Sequence, residues 1–177
     1  ITTGNIEAKG VQGGSIKIKS EKEALISGNV NAEGTTSNGG KIHITAPLMK
    51  IVSSEINASG ASGGEILLGG EKHGQNSGIL ENSQYYFMSR DTNVKADSTS
   101  ANGNGGEIIN WADKNAYILG NFSAKGGSLS GNGGFLETSA RQNLIFDGTA
   151  DLTATNGLTG TFLLDPTNIT IVNGSGG

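Results

Sequence analysis

The chain has no cysteine, two prolines and two histidines in 177 residues, and aromatic residues make up 5% of it. Without cysteine it can build neither a disulfide framework nor a thiolate metal site. Calcium-binding repeats and EF-hand loops are missing too, so no metal and no cofactor are expected. No apolar run approaches the roughly 18 residues that cross a bilayer, and no signal-peptide pattern occurs. The formal charge of -4 and the lack of a Lys/Arg cluster remove the electrostatic attraction on which nonspecific nucleic-acid binding depends. Only 34% of residues are apolar, too few for a wide globular core but enough for a thin, linear one. The chain begins at Ile1 and reads as a single domain, 1–177, excised or processed from something longer.

What the chain has in quantity is glycine, 30 residues of it. A three-residue period is absent, which excludes collagen, and the scarcity of proline argues against simple low-complexity disorder. The glycines instead come in pairs at 13 and 14, 39 and 40, 63 and 64, 105 and 106, and 133 and 134, with a degenerate sixth copy at Gly160. The period is about 26 residues, broken by one step of 42.

Each pair opens a tetrad: SIKI, KIHI, EILL, EIIN, FLET and, after Gly160, TFLL. Alternation of period two marks a strand with one buried face. The buried positions form two columns, Ile16, Ile42, Ile66, Ile108, Leu136 and Phe162, and Ile18, Ile44, Leu68, Asn110, Thr138 and Leu164. A second strand precedes each pair and carries a branched or aromatic residue followed two on by Ala, as in Ile6 and Ala8, Val30 and Ala32, or Phe122 and Ala124. A third short apolar run follows the tetrad, in ALIS, LMKIV, AYIL and NLIF.

Three strands and three turns per repeat describe one coil of a solenoid. Parallel, in-register stacking piles like residues on like, whereas hairpins would scramble the columns. The prediction is an all-β parallel β-helix of about seven coils, with corner glycines supplying positive φ. Asn110 and Thr138 are expected to bond to each other or to backbone in adjacent coils, since an unpartnered polar group there costs about 1–3 kcal/mol.

The long step places an excursion near residues 71–93, rich in aromatics: Tyr85, Tyr86 and Phe87. It is expected either to pack on the rod or to bind a partner. Trp111, Phe135, Leu67 and Ile109 occupy outward tetrad positions, so the candidate interaction surface comprises Trp111, Phe135, Tyr85, Tyr86 and Phe87, unless the excursion lies over the outward stripe.

The order GGEKHGQN, NWADKNAYILGNFSAKGG, GNGGFLETSARQNLIFDG and GTFLLDPTNITI resembles the repeat region of filamentous-haemagglutinin-like exoproteins of two-partner secretion systems. The likeness is specific over Gly63 to Ile171 and generic before it. It implies a right-handed parallel β-helix from a bacterial surface or secreted adhesin, exported unfolded through an outer-membrane β-barrel transporter. The family's amino-terminal secretion domain, with its transporter-recognition motifs, is not expected in this chain.

Catalytic readings are weaker. Gly60–Gly64 matches G-x-S-x-G around Ser62, but that pattern needs a strand-to-helix turn and no helix follows. His43 is expected to face solvent as surface decoration. Asp147, Asp151 and Glu137 are the one dense acidic group, the only basis for a carbohydrate-active β-helix enzyme. Four sequons, at Asn57, Asn121, Asn168 and Asn173, offer glycosylation sites.

The chain is therefore read as a non-enzymatic, extracellular structural or adhesive segment. Its expected partners are the transporter and host-cell, neighbouring-cell or matrix glycans and proteins. The alternative is a filament subunit that stacks end to end, its tail at 167–177 bridging neighbours.

Overall fold

A computed structural model describes residues 4–167. The chain winds as a parallel solenoid with three faces, and the all-β parallel β-helix expected from the repeat is what forms. One face is a six-stranded parallel sheet built from the tetrads: Ser15–Lys19, Lys41–Thr45, Glu65–Leu68, Glu107–Ala112, Phe135–Ala140 and Thr161–Leu164. The third apolar run of each coil makes the next face, and the strands ending in the Ala position make the last. In two early coils these last two faces share continuous strands, Glu23–Asn31 and Leu48–Asn57, which bend at a register shift. Gly28 and Ser53 take positive φ at that bend, +98° and +49°.

Register follows residue type. Ile16, Ile42, Ile66, Ile108, Leu136 and Phe162 pair rung to rung, as do Ile18, Ile44, Leu68, Asn110, Thr138 and Leu164. Ile6, Val30, Ile56, Val94 and Phe122 form the matching column on the Ala-bearing face. Each buried Ile or Leu contributes about 1.5–3 kcal/mol. Because each column repeats at every rung, low overall hydrophobicity still closes a continuous seam. Phe162 is half-buried and Leu164 exposed, because no further rung lies above them among the described residues.

The paired glycines act by close approach and not, as expected from the sequence, by positive φ. Neither the five pairs nor Gly160 has positive φ. At each corner the second glycine's N–H donates to the carbonyl of the small core residue before it, as from Gly40 to Ala32 and from Gly64 to Ala58, both at 2.8 Å. A Cβ on Gly39 would lie 1.8 Å from the Ala58 carbonyl oxygen, and one on Gly63 1.9 Å from that of Ala96. No larger residue fits where the backbone folds onto itself.

The two polar members of the tetrad columns are satisfied. Asn110 Nδ2 donates to the Glu137 carbonyl at 3.2 Å and to Thr138 Oγ1 at 3.4 Å, and its Oδ1 accepts from the Tyr86 hydroxyl at 3.1 Å. The network ties three successive coils. Burial pushes the Tyr86 phenol well above its ordinary pKa, so it remains a donor.

Candidate interaction faces

The excursion is shorter than the expected span of 71–93. Tyr85–Met88 is a regular rung, paired with Leu48–Ile51 on one side and Asn115–Ile118 on the other. Its period-two alternation turns Tyr86 and Met88 into the core. Tyr86, 1% exposed, is therefore not part of any surface, a correction to its place among the interaction residues.

The inserted residues are 69–83, an Ω-like loop whose neck is closed by Ser83 N–H donating to Gly69 O at 2.6 Å. Gly69 takes φ +82° where the chain leaves the rung. The loop runs as a strap along the outer side of the tetrad sheet and engages five successive rungs. Lys17 Nζ donates to the Ile79 carbonyl at 2.8 Å, Lys19 pairs with Glu81 at 2.7 Å, and the Thr45 hydroxyl donates to the Glu81 carbonyl. Leu80 packs on Leu67, Ile109 and Phe135 as a second apolar cluster. Further along, the Lys72 ammonium sits 3.7 Å from the centre of the Phe135 ring.

The strap also covers Trp111, which is 4% exposed. Gly74 lies so close to the indole that a Cβ there would fall 2.1 Å from it. Trp111 Nε1, Asn82 Nδ2 and Arg141 Nε converge on Asp113 Oδ1 at 3.0, 3.1 and 3.2 Å. So Trp111 and the half-buried Phe135 are anchors for the chain's own strap, not a free surface. The period-two pattern places their side chains outward correctly; the strap then removes them from solvent.

Two carboxylates hold the strap. Glu71 accepts from the Ser77 hydroxyl and from the amides of Ile79 and Leu80, at 3.2 and 3.1 Å. Burial pushes its carboxyl up, but these hydrogen bonds outweigh burial and hold it below its ordinary value. Glu137, fully buried, accepts the His73 N–H on both oxygens at 3.1 Å and the Ser139 hydroxyl at 3.0 Å.

His43 is not surface decoration. It is 8% exposed, with Nε2 2.6 Å from Glu65 Oε1 of the next rung. That hydrogen bond, aided by Lys41, keeps the Glu65 carboxyl below its ordinary value against the opposing effect of burial.

The acidic residues singled out from the sequence do not converge. Glu137 lies under the strap, Asp147 pairs with Arg90, and Asp151 accepts from Thr153 near Lys125. Ser62 accepts the Asn104 N–H at 3.3 Å in a turn before the strand Glu65–Leu68. Among the described residues no three His, Asp or Glu side chains gather as a metal ligand set. Asn57 Oδ1 accepts the Ser59 N–H and the Asn121 side chain bonds to Arg90 and Thr149 in neighbouring coils, while Asn168, Asn173 and nearly all of the bridging tail lie outside the described residues.

The bare surface is the face built from the third runs. Here Tyr85, Phe87, Tyr117 and Ile145 are exposed in two adjacent outward columns, Leu48–Tyr85–Asn115–Asn143 and Lys50–Phe87–Tyr117–Ile145. Leu48, Tyr85, Phe87, Asn115 and Tyr117 line an apolar depression of about 230 Å³. Asn143 Nδ2 donates to Asn115 Oδ1 at 2.9 Å beside it. Tyr117 and Ile145 escaped the sequence reading because AYIL and NLIF register there only as inward runs. A second, shallow polar groove of about 780 Å³ follows the glycine corners.

No family model matches the chain, and no curated protein does. A solved structure, the HMW1 secretion domain from Haemophilus influenzae, is similar to it, with TM-score 0.70 and 26% identity over 90% of this chain. The chain spans 42% of that structure's length. The matched region thus belongs to a secretion domain, the part of such exoproteins that the sequence reading set apart from this chain. In fold the chain is a parallel β-helix similar to that secretion domain, which agrees with the resemblance its motifs bear to filamentous-haemagglutinin-like exoproteins.

Proposed function

We propose that the chain is a rigid, non-enzymatic segment of a bacterial cell-surface or secreted exoprotein that holds an adhesive face away from the membrane. In-register stacking of six tetrad rungs, braced by a strap across five of them, carries this reading. Similarity to a secretion domain supports export with an outer-membrane β-barrel partner. The adhesive face in this reading is the uncovered one, Tyr85, Phe87, Tyr117 and Ile145, toward glycans or proteins of host cells, neighbouring cells or matrix. Carrying Phe87→Ser, Tyr117→Ser and Ile145→Ser together, the purified chain on beads is expected to lose adhesion to cells or arrayed glycans while keeping its β circular dichroism. Equal adhesion of variant and parent ends the assignment of that face, and release of reducing sugar from a bound glycan ends the non-enzymatic reading.

A second reading makes the chain a filament subunit. The half-buried Phe146 and Phe162, 5.0 Å apart edge to face, and the exposed Leu164 support it, lying on the last rung among the described residues. Electron microscopy of the purified chain distinguishes fibres from monomers.

A further inference from the structure

Five Asn-Gly pairs fall within the described residues: Asn38–Gly39, Asn102–Gly103, Asn104–Gly105, Asn132–Gly133 and Asn156–Gly157. In such a pair the glycine amide nitrogen can attack the asparagine Cγ. The Cγ–Nδ2 bond breaks, ammonia leaves, and a five-membered imide forms. Water then opens the imide at either carbonyl, giving aspartate or isoaspartate. Glycine favours the step because no side chain blocks the approach, but the amide must first be free to leave its own hydrogen bond.

The solenoid divides these five chemically alike pairs into two groups. At the glycine corners the attacking nitrogen is held by the next coil: Gly39 N–H donates to Ser62 O, Gly105 to Asn132 O and Gly133 to Leu158 O, each at 2.9 Å. Two of the asparagines are held as well, since Asn104 Oδ1 accepts the Asn132 N–H at 2.8 Å and Asn132 Oδ1 the Leu158 N–H at 2.9 Å. The other two pairs lie in the exposed turn two residues earlier in the coil. The amides of Gly103 and Gly157 have no hydrogen-bond acceptor among the described residues. Asn102 Oδ1 accepts the Ser130 hydroxyl at 3.0 Å, and Gly103 is buried. Asn156 and Gly157 are both exposed, and the Asn156 carboxamide is held only through Nδ2, by a 3.2 Å bond to Leu129 O and a longer one to Ser128 O.

We infer that Asn156 is a site of spontaneous deamidation and isoaspartate formation in the folded protein, that Asn102 is a slower one, and that the corner asparagines 38, 104 and 132 are protected. The modification adds negative charge, and in the isoaspartate form an extra backbone methylene, to an exposed turn. Asparagine in a regular repeat is thus sorted by which amide the neighbouring coil occupies.

The test is peptide mapping by mass spectrometry of the intact chain after timed incubation in mildly alkaline buffer, with a urea-unfolded sample in parallel. Unfolded, all five sites are expected to react at similar rates. Folded, Asn156 is expected to outpace Asn38, Asn104 and Asn132 by roughly tenfold or more, because a net backbone hydrogen bond must open first at the corners. Asn156→Gln is expected to abolish the Asn156 product and leave the Asn102 signal unchanged. If the folded chain deamidates at the corners as fast as at Asn156, or if Asn156 reacts only when unfolded, the inference is overturned.

Discussion

Two faces of this solenoid carry outward apolar residues, and they have opposite fates. On the tetrad face Leu67, Ile109, Phe135 and Trp111 lie beneath a strap from the same chain. On the face of the third runs Tyr85, Phe87, Tyr117 and Ile145 stay exposed. In sequence the two sets look alike, an apolar residue at an alternate position of a short strand. Exposure therefore cannot be assigned from the strand pattern; it depends on where the one insertion folds back.

The comparison can be broken at the core they share. Ile42→Asp puts a charge in a fully buried column beneath both faces, and the cost of several kcal/mol is expected to abolish cooperative unfolding by urea. If the variant keeps a native urea midpoint, the stacked column is not what holds the rod.

A smaller effect is expected from the strap. Leu80→Ala removes its buried anchor at about 2–3 kcal/mol, within the range for large-to-small core changes. Amide exchange of the strap and tryptophan quenching of Trp111 are expected to rise, while protection of the Ile16–Ile66 rungs stays. Uniform loss of protection over all rungs would show that the strap is part of the global fold and not an added brace.

Acid distinguishes the faces without mutation. The folded-state carboxyls of Glu71 and Glu65 lie below their ordinary value, so their stabilisation is complete above the unfolded pKa near 4.3 and fades as pH falls through the lower folded values. Exposure of Trp111 is expected to increase below about pH 4, while Tyr85, Phe87, Tyr117 and Ile145, already exposed, change little. Glu71→Gln keeps the shape but weakens the charge-assisted bonds, so the transition is expected to lose amplitude. An unchanged acid profile would remove Glu71 as the latch.

The smallest effect belongs to the bare face. Phe87→Ser and Tyr117→Ser are expected to shift stability by no more than about 0.5 kcal/mol each, as for surface sites, seen as nearly unmoved urea midpoints. A large loss would mean that these rings are structural.

Much of the fold was legible because the repeat is short and the pairing parallel. Once the glycine pairs are aligned, a register in which Ile16, Ile42 and Ile66 coincide is the only one that buries every column. The candidate surface was legible only in part. Tyr85 and Phe87 are exposed, but Tyr86 turns inward because YYFM belongs to a rung and not to the insertion. His43, outward by alternation, is nevertheless buried and bonded to Glu65 of the next rung, and the pattern of its own strand does not predict that.

The chain's own order of residues determined the parallel solenoid, its columns and its corners, because each of these depends on repetition at fixed spacing. The tertiary structure alone decided which outward residues meet water and which asparagine amides are held. Both depend on a neighbouring coil or on the strap, brought close only when the rod is wound. It also decided why the corners need glycine. The need arises from a carbonyl 1.8 Å from where a Cβ would stand, a distance set by the next coil and not by the dihedral angles of the glycine itself.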